Sequence, residues 1–296
     1  MPPRVRPAIE GPKVAKGRKF PIAVSVACWV DLLGYGAMIA EAQFNPLHHR
    51  SNEAFQRLHN FHSAVAASSH RHFSTLVMND GAVAYRDLSM RSRSVTYDFL
   101  LRCWGLFERI REMEIAQGFP GARMVLAAGL RMRSSKLDQP TSDKAASILD
   151  RLRDRKISAE QAIREALRHQ EPFGVVPELQ ANFAFTKAYV ADTDGSQGGL
   201  SGPEFFVDLS LFAGPSPEWL ELGQAVAWRN ERLQLEATFA PIRNILEARH
   251  LSSGPEGIRD GLQVACSLTN DSEVLETLRA AAHAASPTAR IEHGDN

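Results

Sequence analysis

Two aspartates stand at the edges of apolar, strand-like runs. Asp31 lies in AVSVACWVDLLGYG, which begins at Ala23, and Asp80 lies in TLVMNDGAVAYRD, which begins at Thr75. Carboxylates on neighbouring strands can hold divalent metal ions against a nucleoside triphosphate, because hard cations take oxygen ligands from carboxylate and phosphate alike. The strand leading to Asp31 is too apolar to take in an unpaired charge at low cost. Exposure, a basic partner or a metal must compensate. Asp80 sits in Asn79-Asp80-Gly81, where an aspartate also serves turn geometry. Arg86, Arg91, Arg93, Arg131 and Arg133 follow the strands nearest this pair. Guanidinium groups grip phosphate bidentately, and Arg86, Arg131 and Arg133 rank first. Arg131 and Arg133 share a side if their strand continues that far.

The elements that must position these groups follow from periodicity. Phe20–Val30 reads as a buried central strand and Ala37–Ala42 as a short helix. Ser51–Ser69 carries Phe55, Leu58, Phe61, Val65 and Ala66 at helical spacing, with Ser51 as N-cap. Residues 72–78 and 82–85 form a hairpin, because Asn79 and Gly81 accept positive φ cheaply. Ser94–Gly118 is a long helix and Ala122–Leu130 a second buried strand. Residues 133–142 are a polar connector. Lys144–Arg153 and Ser158–His169 are amphipathic helices, the latter opened by a Ser158–Gln161 capping box. Pro177–Val190 reads as a helix, Glu204–Phe212 as a strand and Arg232–Phe239 as an edge strand. Pro241–His250 and Asp271–Ala285 read as helices, with a short apolar run at 262–268 between them.

The fold class is therefore α+β. A ferredoxin-like (βαββαβ) antiparallel sheet lies against helices on one face. A helical insertion falls at about 141–171, and residues 251–296 form a C-terminal extension of a domain spanning 20–250. Residues 1–19 carry six Lys or Arg against Glu10 and read as a disordered basic tail.

The chain has 296 residues, 44% hydrophobic and 23% charged, with a formal net charge of +0. That balance gives no global argument for nucleic acid, and no stripe interleaves basic and aromatic residues, which counts against a nucleic-acid-processing palm domain. No run of 18 apolar residues suggests a membrane span. Cys28, Cys103 and Cys266 are scattered in apolar contexts, as reduced, buried thiols of a cytoplasmic protein would be. Gly34-Tyr35-Gly36 lacks the third glycine and the later acid of a dinucleotide fingerprint. His48, His49, His59, His62, His70 and His72 lack a completing ligand set and read as structural or surface histidines. No nucleophile elbow is present.

Asp31-Leu32-Leu33-Gly34-Tyr35 resembles the strand-one motif of class III nucleotide cyclases, and Asn79-Asp80-Gly81 resembles their hairpin. Gly121–Gly129 is similar to the strand that follows. The resemblance covers about residues 20–130, with an echo to about 212. It implies that Asp31 and Asp80 bind Mg²⁺ or Mn²⁺. It also implies that the backbone of Leu32, Leu33, Gly34, Tyr35 and Gly36 approaches the phosphates, with Arg86 and Arg133 beside them. The catalytic residues would be Asn182, Lys187 and Arg131. The reaction implied is attack of a ribose 3′-hydroxyl on the α-phosphate, giving a cyclic nucleotide and pyrophosphate. A homodimer is implied too, as is a part in signalling or antiviral defence.

The sequence departs from the family in three places. Lys187 stands five residues after Asn182, where the family has Arg at four. Asn79 replaces a glycine. FSTLVM, residues 73–78, lacks the purine-selecting lysine. A catalytically degenerate nucleotide-binding sensor or interaction subunit on the same fold is the alternative.

Overall fold

The computed structural model describes residues 21–133, 143–168, 174–214, 216–246 and 255–284. The basic tail and nearly all of the 133–142 connector lie outside these residues. The first half of the chain runs β1 (Ile22–Leu32), α1 (Tyr35–Glu41), α2 (His49–Ser68), β2 (Ser74–Met78), β3 (Gly81–Asp87), α3 (Arg93–Ala116) and β4 (Ala122–Met132). Next come α4 (Asp143–Arg153) and α5 (Ala159–Arg168). Then come α6 (Phe183–Asp194), β5 (Phe205–Asp208), β6 (Leu220–Leu222), β7 (Val226–Asn230), β8 (Leu235–Ile245), α7 (Gly261–Leu268) and α8 (Ser272–Ala284).

The sheet order is β2-β3-β1-β4-β5-β8-β6, with β7 also paired to β8. The first four strands pair antiparallel, in the arrangement the ferredoxin-like pattern requires. β4 and β5 pair parallel, which makes the whole sheet mixed. β1 occupies the centre because both of its faces are apolar, as buried strands demand. Val24, Val26, Cys28 and Val30 enter one core with α2, α3, α7 and α8. Ala27 and Trp29 enter a second core with α6. Helices therefore cover both faces, not one.

Several local expectations shift for identifiable reasons. His48, not Ser51, caps α2 by accepting from the Arg50 backbone N–H. The buried face of α2 includes Arg57, whereas Phe55 is exposed. The stretch Pro177–Val190 is two elements: a 3₁₀ turn at Pro177–Leu179, then α6, capped by the Asn182 side chain. Of the stretch Pro241–His250, residues 241–245 are strand and not helix, and 247–250 lie outside the described residues. β8 runs through Pro241 to Ile245 and lies inside the sheet between β5 and β6. Pro241 has no N–H, and it pairs with Phe206 near the end of the short β5, where a missing ladder bond is tolerated. Residues 262–268 are helical, opened by an Asp260–Gln263 capping box. The Ser158–Gln161 box forms as expected. Cys28 and Cys103 are buried neighbours, but Cys266 is exposed.

α6 reaches the sheet because Ala184, Ala188 and Ala191, at helical spacing, have almost no side chain to hold it off. The closest approach is at Gly129, where an added Cβ would overlap the backbone nitrogen of Ala184. Gly129→Ala must push α6 off the sheet. It is expected to lower stability by about 3 kcal/mol, as overpacking does, measured by urea denaturation. Gly105→Ala on α3, where a Cβ meets nothing within 4 Å, serves as the control and is expected to be neutral or mildly stabilising.

Candidate functional site

Asp31 is the penultimate residue of β1. It pairs with Gly81 on one side and Arg123 on the other. Side chains alternate along a strand, so Asp31 shares the α6 face with Ala27 and Trp29. Asp80 comes to the same place through the β2–β3 turn. Asn79 takes the positive φ of that turn, at 56°. Gly81 is constrained differently: a Cβ there would overlap the Trp29 ring. The turn is held at three points. Leu32 N–H donates to the Asp80 carbonyl at 3.1 Å. Asn79 Nδ2 donates to Asp80 Oδ1 at 2.9 Å. His62 Nε2 meets the Asn79 carbonyl at 2.8 Å.

The two aspartates line one cleft of about 570 Å³ with Trp29, Met78, Gly81, Arg123, Phe185, Tyr189, Asp192 and Thr193. That volume is within the range of small-molecule sites. Its fixed point is Asp192 of α6. Arg123 Nε donates to Asp192 Oδ1 at 2.6 Å and Trp29 Nε1 to Oδ2 at 3.1 Å. The other guanidinium nitrogens of Arg123 donate to the Asp192 and Leu200 carbonyls.

Three carboxylates thus face one guanidinium that is already engaged. Among the described residues nothing donates a hydrogen bond to the Asp31 carboxyl. Burial, then the charges of Asp192 and Asp80, push it up to about 7, against the pull of Arg123 and Arg57. Burial also raises Asp192, although Arg123 and Trp29 oppose the rise. A carboxyl crowded by like charges and left without a donor suits a cation. Among the described residues no three His, Cys, Asp or Glu side chains are placed to hold a metal together. Asp31 and Asp80 would be the protein's share of the ligands, with phosphate and water completing the shell, the usual arrangement for Mg²⁺.

The turn after Asp31 is fixed from the opposite side. Arg57, buried in the core, donates to the Leu33 carbonyl at 2.9 Å and pairs with buried Glu114. The Leu32 and Leu33 N–H groups are engaged by Asp80 and Gly121. Gly34, at φ 76°, together with Tyr35 and Gly36 opens α1, whose first N–H groups lack intrahelical acceptors. The Tyr35 hydroxyl lies close enough to Asp80 for burial and that charge to raise it.

The other predicted residues go elsewhere. Ala23 pairs with Arg131 and Asp31 with Arg123, so Arg131 stands roughly 26 Å along the strand from the Asp31 position at 3.3 Å per residue. Arg131 and Arg133 do share a side, and both bind Asp87. Burial pushes the Asp87 carboxyl up, but the two guanidiniums prevail and hold it below its usual value. Arg86 pairs with Asp98 of α3, across the sheet from Asp31. Asn182 caps α6 and donates to Ser25 Oγ and the Glu178 carbonyl. Lys187 forms a buried ion pair with Asp208 at 2.9 Å. Trp29, Arg123, Phe185, Tyr189 and Asp192 were not among the residues predicted for the site. Only Trp29 and Arg123 left a trace in the sequence, through their parity with Asp31 on β1 and their place on the paired strand.

No family model matches this sequence, and no curated protein matches it. Among solved structures, the guanylyl cyclase Cya2 is similar at 13% identity and a TM-score of 0.46, over 79% of this chain and 99% of that one. A bacterial light-regulated adenylyl cyclase is similar at 8% identity and a TM-score of 0.36, over 88% of this chain and 59% of that one. At these TM-scores the likenesses carry no argument about fold or function.

Two expectations test the site's physics. Folded Asp31 holds its proton to about pH 7, while the unfolded carboxyl releases it near pH 4. Its stabilising contribution is whole below about pH 4 and is lost as pH rises towards about 7. In chelator, wild type therefore loses more stability than Asp31→Asn between these pH values, by roughly 2 kcal/mol after allowing for partial exposure, read from urea midpoints. Lys187→Met strands the Asp208 charge and is expected to cost about 3–5 kcal/mol. Adding Asp208→Asn recovers part of that loss if Lys187 is structural.

Proposed function

We propose that the protein binds a nucleoside triphosphate together with a divalent cation, through Asp31 and Asp80, on a nucleotide-cyclase-like sheet. One observation carries the reading. The two aspartates, separated by 49 positions in sequence, share a cleft in which Asp31 has no donor among the described residues and feels two like charges. A divalent cation held there would neutralise the triphosphate and acidify a ribose hydroxyl. The chain's own part is to orient: the Asn79–Asp80 turn and the Arg57-anchored turn after Asp31 fix the carboxylates. The Gly34–Gly36 amides would meet phosphate oxygens, as helix-opening N–H groups do. The finer reaction is attack of the 3′-hydroxyl on the α-phosphate, with loss of pyrophosphate and formation of a cyclic nucleotide, by a homodimer.

A specific observation favours the second reading, a nucleotide-binding sensor without turnover. Asn182, Lys187 and Arg131 are engaged in a helix cap and two ion pairs within their own chain. A phosphorane-like charge developing between Asp31 and Asp80 would therefore find no free cation from this set.

The test is titration of the protein with each of the four nucleoside triphosphates, with and without Mn²⁺, alongside an assay for pyrophosphate and cyclic product. Mn²⁺-dependent binding is expected, weakened at least 10-fold by Asp31→Asn or Asp80→Asn, since one charge-assisted contact is worth about 1.5–3 kcal/mol. Cyclic product abolished by either substitution marks the cyclase. Binding without product marks the sensor. Binding that is equally tight in chelator or in both variants overturns the reading.

A further inference from the structure

Part of the cleft wall is aromatic. Trp29, Phe185 and Tyr189 form a closed triangle. Trp29 and Tyr189 meet edge-on, with ring centroids 5.1 Å apart at 85°. Phe185 lies 6.1 Å from each of the other two. Trp29 is immobilised by its bond to Asp192 and by Gly81 beneath its ring. Tyr189 lines the cleft and is 47% exposed. Tyr189 is thus a half-exposed ring held in place by two others.

The nitrogen donors of Arg123 and Trp29 in the same cleft are already taken and are not available to a base edge. All three guanidinium nitrogens of Arg123 are engaged. Trp29 Nε1 is engaged, and the Thr193 hydroxyl donates to the Tyr189 carbonyl. The aspartates lie at the proposed metal site.

We infer that the Trp29–Phe185–Tyr189 wall is a base platform. It takes the π-face of a nucleobase by stacking, so the cleft selects for a nucleotide over a bare polyphosphate but discriminates little among bases. The inference rests on the reading of Asp31 and Asp80 as the metal–phosphate site. Stacking is sequence-tolerant because every base has a π-face. Discrimination comes from hydrogen bonds to base edges, for which the Arg123 and Trp29 donors of the cleft are already taken.

The experiment is calorimetric titration of the full chain with the Mn²⁺ complexes of ATP, GTP, CTP and UTP, and of inorganic tripolyphosphate, for wild type, Tyr189→Ala and Tyr189→Phe. The expected result has three parts. The four nucleotides bind within about 10-fold of one another and at least 5-fold tighter than tripolyphosphate. Tyr189→Ala weakens the nucleotides about 5- to 10-fold and leaves tripolyphosphate unchanged. Tyr189→Phe keeps wild-type affinity. These magnitudes follow those of base–aromatic stacking. Tyr189 is exposed, so its variants are expected to fold; Phe185→Leu, tested in parallel, is expected to give a smaller loss of the same kind.

Three outcomes overturn the platform while leaving the metal–phosphate site intact. One is tripolyphosphate binding as tightly as the nucleotides. Another is Tyr189→Ala weakening tripolyphosphate and nucleotides alike, or neither. The third is a preference of more than 100-fold for a single base. If no ligand binds with Mn²⁺, the platform falls together with the site on which it rests.

Discussion

The Asp192 carboxylate is the point on which the rest of the site depends. Its two oxygens are shared between Arg123 of β4 and Trp29 of β1, so one side chain on α6 ties that helix to two central strands. The bond to Arg123 is a short, charge-assisted contact in a partly buried place, where such bonds are strong. Three consequences follow. α6 cannot rotate about its own axis, so Phe185 and Tyr189, on the same side of the helix, keep their places. Trp29 cannot turn away from Gly81, so the hairpin bearing Asp80 has a fixed floor. The negative charge of Asp192 also stands near Asp31, the second-largest cause of that residue's raised pKa.

The remaining cations follow a single pattern. Arg57 is buried with Glu114, Lys187 with Asp208, and Arg131 with Asp87. Each carboxylate would be costly to bury alone, so each takes its partner from the residues that could otherwise serve chemistry. Arg57 keeps an indirect part through the Leu33 carbonyl. Lys187 and Arg131 keep none at the Asp31 cleft. Chemical competence on paper, Asn and a cation on one helix, is thereby converted into architecture. The cleft is left with carboxylates, aromatic rings and the already engaged Arg123 guanidinium, which is why the physics supports binding more directly than turnover.

Much of the fold was legible because its cause is local. The apolar runs of β1 and β4 mark buried central strands, and Asn79-Asp80-Gly81 marks a tight turn whichever residue carries the positive φ. The Ser158 capping box is four residues of self-sufficient hydrogen bonding. Misreadings occurred where a distant partner decides the outcome. The 241–250 stretch has helix-compatible spacing, yet pairing with β5 and β6 draws residues 241–245 into a strand. Arg57 breaks an apolar face by sequence, yet Glu114, 57 positions away, lets it be buried. Pro177–Val190 divides because Asn182 finds Ser25 and caps a new helix.

The sequence by itself determined the pair: two aspartates, one ending an apolar strand and one in a two-residue turn, whose types and flanking residues are enough to predict adjacency in a βαββαβ sheet. The tertiary structure alone decided what surrounds them. Which cations remain free depends on which carboxylates are buried near them. The aromatic wall depends on the rotation of α6, set by Asp192. The proton on Asp31 depends on charges brought in from the hairpin and from a helix some 160 residues further along the chain. These are sums over neighbours in space, and spacing along the chain does not encode them.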